Sequence, residues 1–320
     1  MLHSVSFDQL RMFVAAADEG SFSAAARRVQ RTQSAVSEAI LSLEAQLGVV
    51  LFDRAGRYPK LTKEGVVLLA DARVVIAGVD AMKARAKGIA GGLEAELVAV
   101  FDVFLPIEVI AETAREFRIQ FPATPLRLYV EALGGAVQPV LDGRASFGVV
   151  GSLPTLPPGL IKERMFDVKF MMVAAASHPL ASYRGTIPKE ELARHVQLVL
   201  TDRSNLSEGH TIGVMSPSTW RLADLFAKHA FLISGLGWGG MPVHTVAKDL
   251  AEGRLVELSI EEAPPGGLPL PMFAIYREGE PPGPAGRWMI ERLKSCPAER
   301  RMAKDKASAT RAKRSATRNL

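Results

Sequence analysis

The sequence predicts an α/β multidomain chain that opens with a winged helix-turn-helix, continues through one long helix and ends in a domain of alternating strands and helices. Three observations lead there. Three short stretches with helical apolar spacing run into a hairpin rich in Arg, Gly and Lys; one run of about 25 residues then keeps helical spacing; and beyond Gly88 short apolar strands alternate with helical segments. At 320 residues the chain exceeds what one hydrophobic core usually sustains, so more than one folding unit is expected.

The first helix is carried by Phe7, Leu10, Val14 and Ala17, with Phe13 beside them, and Gly20 stops it. Ser21 can cap a short second helix bearing Phe22, Ala25, Ala26 and Val29, whose small alanines let another helix approach closely. After Gln30-Arg31-Thr32 a third helix sets Val36, Ile40, Leu43 and Leu47 on one stripe, with Gln33, Ser34, Ser37 and Glu38 off it, and Gly48 ends it. Two helices joined by a short turn, the second polar at its N-terminal outer face, form a helix-turn-helix; periodicity alone also fits a structural three-helix bundle. Val49-Val50-Leu51-Phe52 followed by Asp53 to Leu61 reads as a basic-tipped hairpin, a wing, which closes a first domain at 1–61.

Thr62 caps a long helix in which Val66, Leu69, Arg73, Val74, Ala77 and Ala81 keep helical spacing. At 1.5 Å per residue it spans roughly 37 Å. Its apolar residues are too many for a solvated spacer, so segment 62–90 is expected either to pair with a second copy or to lie buried within one chain. Strands are predicted at 95–101, 125–131, 146–150, 170–176, 196–201, 211–215, 230–234, 255–258 and 270–276, and helices at 106–120, 134–142, 217–229 and 242–251. This gives a parallel or mixed sheet covered by helices over 91–294, with ligands expected at strand C-termini. Residues 295–320, Lys and Arg among Ala, Ser and Thr, read as a basic disordered tail.

The formal net charge of +5 is unevenly spread. Counting Lys, Arg, Asp and Glu gives +3 over 1–90, −5 over 91–293 and +7 over 294–320, so the two ends can face phosphates while the middle as a whole cannot. No apolar run reaches the ~18 residues of a membrane span. The start, Met1-Leu2-His3-Ser4, lacks the regions of a signal peptide, and a cytoplasmic chain with no membrane partner is expected. The lone Cys296 excludes an internal disulfide and a multi-thiolate zinc site, and the six histidines show no metal-ligand spacing. With neither Gly-x-Ser-x-Gly nor a Gly-rich Lys-Ser/Thr loop, no catalytic constellation, metal site or cofactor is expected.

The segments Phe7-Asp8-Gln9-Leu10-Arg11-Met12-Phe13, Gly20-Ser21-Phe22-Ser23-Ala24-Ala25-Ala26, Gln33-Ser34-Ala35-Val36-Ser37, Leu43-Glu44-Ala45-Gln46-Leu47-Gly48, Leu51-Phe52-Asp53-Arg54 and Leu61-Thr62-Lys63-Glu64-Gly65 together resemble the LysR-type transcriptional regulators. The likeness covers about residues 5–75 and continues more weakly through Ser177-His178-Pro179-Leu180 and Gly235 to Pro242. It implies a winged helix-turn-helix on double-stranded DNA, a linker helix that dimerises, homotetramers that bend promoter DNA, and no catalysis. It leaves room for RNA polymerase as a further partner. It also implies a two-lobed Rossmann-like effector domain of the periplasmic-binding-protein type, with lobe I at 92–164 and 268–294, lobe II at 165–267, and a small-molecule effector in the cleft.

On the third helix, Thr32, Gln33, Ser34 and Ser37 occupy the turns that reach base edges, and Gln33 is the first choice for readout; the alternative is an ordinary solvated helix start. Ser21 and Ser23 open the helix before it and complete the set. Many relatives carry a basic residue after the motif's second serine, where this chain has Glu38, which can accept from a cytosine amine or repel phosphate. Arg54, Arg57, Lys60 and Lys63 flank the wing and can meet phosphates or remain merely solvated. By likeness, the loops at Asp102-Val103-Phe104, at Glu131 and Leu133, and at Thr201-Asp202-Arg203, together with Trp238, face the effector. Asp102 and Glu131 suggest a cationic group on it and Arg203 a carboxylate, against the alternative that these charges pair with each other or face water.

Two other readings compete. Gly235-x-Gly237-x-x-Gly240, with Glu257 ending the next strand, superficially matches a dinucleotide fingerprint, although Pro242 and a short helix weaken it. The basic tail suggests a sequence-indifferent nucleoid protein, which would leave the acidic α/β region without a task.

Overall fold

The computed structural model describes residues 5–56, 58–207, 212–263 and 265–295. Arg57, Cys296 and almost all of the basic tail lie outside the described residues. The chain divides into two compact units, Met1–Gly91 and Gly92–Leu320.

In the first unit, α1 (Phe7–Glu19), α2 (Phe22–Val29) and α3 (Gln33–Leu47) begin at hydroxyl caps. Ser6 shares a capping box with Gln9, and Ser21 and Thr32 accept from the backbone N–H groups of Ala24 and Ala35. Ala25 and Ala26 of α2 are buried as the spacing requires, and Val36, Ile40 and Leu43 of α3 are fully enclosed. Phe52 fixes the hairpin to this core: it meets Phe13 edge-on at 5.8 Å and Phe22 at 5.3 Å. The hairpin pairs β1 (Phe52–Asp53) with β2 (Lys60–Leu61). Thr62 then caps α4 (Lys63–Ala90), 28 residues long or about 42 Å. Only its first turns join the core, through Gly65, Leu69 and Ala72; Val66, Val67, Val74, Val75, Met82 and Ile89 are exposed.

The second unit runs β3 (Leu97–Asp102), α5 (Ile107–Gln120), β4 (Leu126–Glu131), α6 (Gln138–Leu141), β5 (Phe147–Val150), β6 (Leu160–Ala175), α7 (Lys189–Leu192), β7 (Gln197–Leu200), β8 (Thr219–Leu222), α8 (Leu225–Ile233), β9 (Trp238–Pro242), α9 (Val243–Ala251), β10 (Leu255–Glu257), β11 (Leu268–Arg277) and α10 (Pro284–Ser295). Among the described residues these strands form one mixed sheet in the order β4-β3-β5-β11-β6-β9-β7-β8, with β10 on β6. Two parallel sets, β4-β3-β5 and β9-β7-β8, flank the long antiparallel pair β6 and β11. Each set has its own apolar core, one around Phe101, Phe117 and Phe147, the other around Leu198, Leu232 and Met241. The two sets are therefore two lobes, and β6 and β11 run through both.

Four sequence expectations fail here, the first being the strand at 211–215, where Ile212 and Gly213 form a turn and Val214 and Met215 join no sheet. The stretch 230–234 is not a strand: Asp224 accepts from the N–H of Ala227, and the helix it starts, Leu225–Ile233, buries apolar side chains. An all-apolar run reads the same in a buried strand and a buried helix, and the cap decides. Conversely Thr219–Leu222, expected as helix, is edge strand β8 beside β7. Strand β9 went unread because glycine is depleted from strands. Its glycines serve close packing: a Cβ on Gly239 would lie 2.5 Å from the Leu198 carbonyl oxygen, and one on Gly240 2.2 Å from the Phe170 ring.

Candidate functional site

Each unit presents one surface or cavity with functional character. In the first, α3 turns Val36, Ile40 and Leu43 inward and leaves Thr32, Gln33, Ser34 and Glu38 exposed, with Ser37 half-buried. Several of these hydroxyls are already engaged locally. Thr32 caps the helix and bonds Ser34 at 3.1 Å, and Ser21 caps α2. Ser23 donates to Gln33 Oε1 at 2.8 Å, which ties α2 to the start of α3 and leaves the Gln33 amide N–H groups to donate outward. The polar edge is thus preorganised by its own serines.

The basic residues separate into two kinds. Lys60 and Lys63 are exposed, and among the described residues no ion pair involves them. Arg54, by contrast, is engaged within the fold. Its guanidinium pairs with Glu44 at 2.9 Å and lies 5.5 Å from the centre of the Phe22 ring. The other Glu44 oxygen accepts from the N–H groups of Leu51 and Phe52, so Glu44 and Arg54 lock the wing to α3. Arg57 falls outside the described residues.

In the second unit, a cavity of about 400 Å³ opens where β6 and β11 pass the ends of the parallel strands. Of the expected effector residues, Phe104 and Leu133 line it. Val103 is half-buried against the core of the second lobe, Thr201 is half-buried, Glu131 and Arg203 are exposed, and none of these four lines it. Trp238 is fully buried with its indole N–H 3.4 Å from the His195 carbonyl, a core residue rather than a ligand contact. His178 caps the turn at Pro179 through Nδ1 and is structural.

Asp102 and Asp202 are also spoken for. Asp102 is wholly buried: Oδ1 accepts from the N–H of Phe104, and Oδ2 from the N–H groups of Gly151 and Ser152 and the Ser152 hydroxyl. Burial pushes its pKa up, against hydrogen bonds that favour the ionised form. Ser152 Oγ in turn accepts from the N–H of Leu133, which sits at φ 49°, a strained value for a branched side chain. One carboxylate therefore knots the ends of β3 and β5 to the turn after β4 and sets the Leu133 side chain in the cavity wall. Asp202 accepts from the Gly135 N–H and the Ser204 hydroxyl, both at 2.7 Å, and from Ser207, fastening the loop after β7 to that turn. Neither aspartate offers a free carboxylate to a cationic ligand.

Sequence reading missed Lys228, which lines the cavity from α8, 3% exposed, with Nζ donating to the Gly240 carbonyl at 2.7 Å. Burial lowers its pKa to about 7. The available signal was a single cation inside Leu225-Phe226-Ala227-Lys228-His229-Ala230-Phe231-Leu232-Ile233. Gln197, Ser152 and Lys162 are the other polar side chains of the lining.

The dinucleotide reading fails on geometry. Gly239 and Gly240 belong to β9, and a Cβ on Gly237 would come within 2.4 Å of the Val196 carbonyl oxygen, so these glycines bring strands together instead of cradling a phosphate.

Residues 7–66 match the family model described as bacterial regulatory helix-turn-helix protein, lysR family, and residues 94–296 match the LysR substrate binding domain. The chain is 28% identical over 260 residues to the probable HTH-type transcriptional regulator YhaJ of Escherichia coli K12, covering 81% of this chain and 87% of that one. It is 28% identical over 287 residues to the HTH-type transcriptional regulator PunR of the same organism, covering 89% and 91%. Among solved structures, the OxyR C206 mutant of Corynebacterium glutamicum superposes with a TM-score of 0.55 at 20% identity, over 91% of this chain and 93% of that one, and shares the fold.

Proposed function

The chain belongs to the LysR-type transcriptional regulators, with a DNA-binding helix-turn-helix and an effector-binding domain and no enzymatic role, and from that premise we propose how its own residues divide the work. The N-terminal turn of α3 enters the major groove, where Gln33, oriented by Ser23, donates to base edges. Lys60 and Lys63 neutralise backbone phosphates beside it and set register without specifying sequence. The observation that carries this is the exposed, hydrogen-bonded polar edge from Thr32 to Ser34 over a fully buried apolar stripe. A small molecule in the cavity between the lobes biases DNA binding or bending. It does so to the extent that it binds one lobe arrangement more tightly than another.

The chain works as a homo-oligomer. On α4, exposed Val67, Val74, Met82 and Ile89 recur at close to seven-residue spacing, a seam suited to a second copy of the same helix. Two such copies present two α3 helices, so the operator carries two related half-sites.

Titration of duplex DNA with the full chain across a salt series tests this reading. Retention at low salt is expected, with a log–log slope that falls by about 0.9 for each phosphate contact removed in Lys60→Ala and Lys63→Ala. Absence of retention, or a slope that neither substitution moves, contradicts it.

A further inference from the structure

Lys228 is a buried cation without an anion. An ammonium has three donors, and the bond to the Gly240 carbonyl is the one hydrogen bond it makes among the described residues, where no ion pair involves it. With no anion to offset desolvation, its pKa drops to about 7. No side chain of the lining carries a negative charge for a cationic ligand to pair with. Gln197 has both ends of its amide engaged, with Nε2 donating to the Gly213 carbonyl and Oε1 accepting from the N–H groups of Met215 and Ser216. Ser152 is committed to Asp102 and Leu133. Exposed Lys162, whose Nζ stands 5.1 Å from the centre of the Phe273 ring, adds a second positive charge at the wall. Phe104, Phe170, Leu198 and Leu270 make the remaining surface apolar.

We propose that this cavity receives a small organic acid with an apolar, ring-sized body, its carboxylate paired with the Lys228 ammonium and its body packed among Phe104, Phe170 and Leu198. The proposal rests on reading this cavity as the effector site. A volume of about 400 Å³ falls in the lower part of the range for small-molecule sites, about 300–1,000 Å³. An amine would meet two like charges, and a neutral apolar solute would leave the Lys228 donors unmet, whereas a carboxylate supplies acceptors where water is excluded. The sign of the ligand charge is thus the reverse of that suggested by Asp102 and Glu131 in the sequence.

The test uses the full chain and three acids, benzoate, 3-phenylpropanoate and 4-methylpentanoate, each beside its primary amide and the amine of the same skeleton. At least one acid is expected to raise the thermal unfolding midpoint while its amide and amine do not. That acid also slows acetylation of Lys228 by acetic anhydride, read by peptide mass, at least tenfold. It binds Lys228→Met at least tenfold more weakly. The labelling arm uses the unsubstituted chain and does not depend on how the variant folds. Three results overturn the proposal: no acid binds, an amide or amine binds as well as its acid, or bound acid leaves Lys228 labelling unchanged. An amine or amide that alters DNA retention rejects the acid class and leaves the effector reading standing. An acid that protects Lys228 yet leaves DNA retention unchanged upholds the ligand class and counts against the effector reading.

Discussion

Asp102 and Lys228 show how differently a protein interior can hold a charge. Asp102 is surrounded by donors from its own chain, whereas Lys228 finds one carbonyl and is left with donors to spare. The first arrangement is complete in itself and builds a wall; the second leaves donors that the proposed acid would meet. Asp102→Ala removes the acceptor from the N–H groups of Phe104, Gly151 and Ser152. At about 1–3 kcal/mol for each orphaned donor, a loss of about 3 kcal/mol or more is expected from thermal unfolding of the full chain, with Asp102→Asn less affected. A loss below about 1 kcal/mol would show that the knot does not hold the wall. The sequence could place Asp102 at a strand end but not say which way its oxygens face, because the donors that capture it come from residues some 50 positions away. The exposure of Gln33 was legible because it depends on local helix geometry, whereas the Arg54 ion pair was not, because its partner Glu44 sits on the helix before the wing.

Among the elements, β6 and β11 matter most, since each lobe is built on them and the cavity lies along them. Glu163 fastens α10 to this pair: it accepts from Lys294 at 2.8 Å, from Arg287 at 2.7 Å and from Tyr276 at 2.6 Å. Burial opposes its ionisation, but these hydrogen bonds prevail and hold its pKa at about 2, below the ordinary 4.5. A carboxylate depressed in the folded state contributes stability that is complete above the unfolded value and is lost as pH falls toward the folded one. The second unit is therefore expected to lose stability between about pH 5 and 2, and Glu163→Gln to flatten that loss while lowering stability near neutrality. Chemical denaturation at a series of pH values checks this; parallel pH profiles for the two proteins would contradict it. The first unit's helices were readable because caps and apolar periodicity agree over short spans. Strand order was not, because β6 pairs with β11 more than 90 residues away and a strand that serves two lobes has no local signature.

At the scale of the whole molecule, charge and exposed surface assign each region a partner. The N-terminal unit is positive overall and carries the exposed polar edge of α3, while residues 91–293 are acidic overall yet hold their deepest cation inside the cavity. The apolar stripe on α4, Val67, Val74, Met82 and Ile89, is exposed among the described residues. Val74→Asp combined with Met82→Asp is expected to shift the sedimenting species toward single chains and to weaken DNA retention together with it; an unchanged sedimentation coefficient would move the interface elsewhere. The central claim is that the edge at Gln33 reads DNA sequence, and it is tested most directly by selection from a randomised duplex library with the unsubstituted chain and with Gln33→Ala. The expected result is a motif of two related half-sites for the former, and for the latter a loss of preference at one symmetric pair of positions, worth about 1–3 kcal/mol per base pair. If the unsubstituted chain enriches nothing, or Gln33→Ala enriches the same motif with the same preference, the account is contradicted.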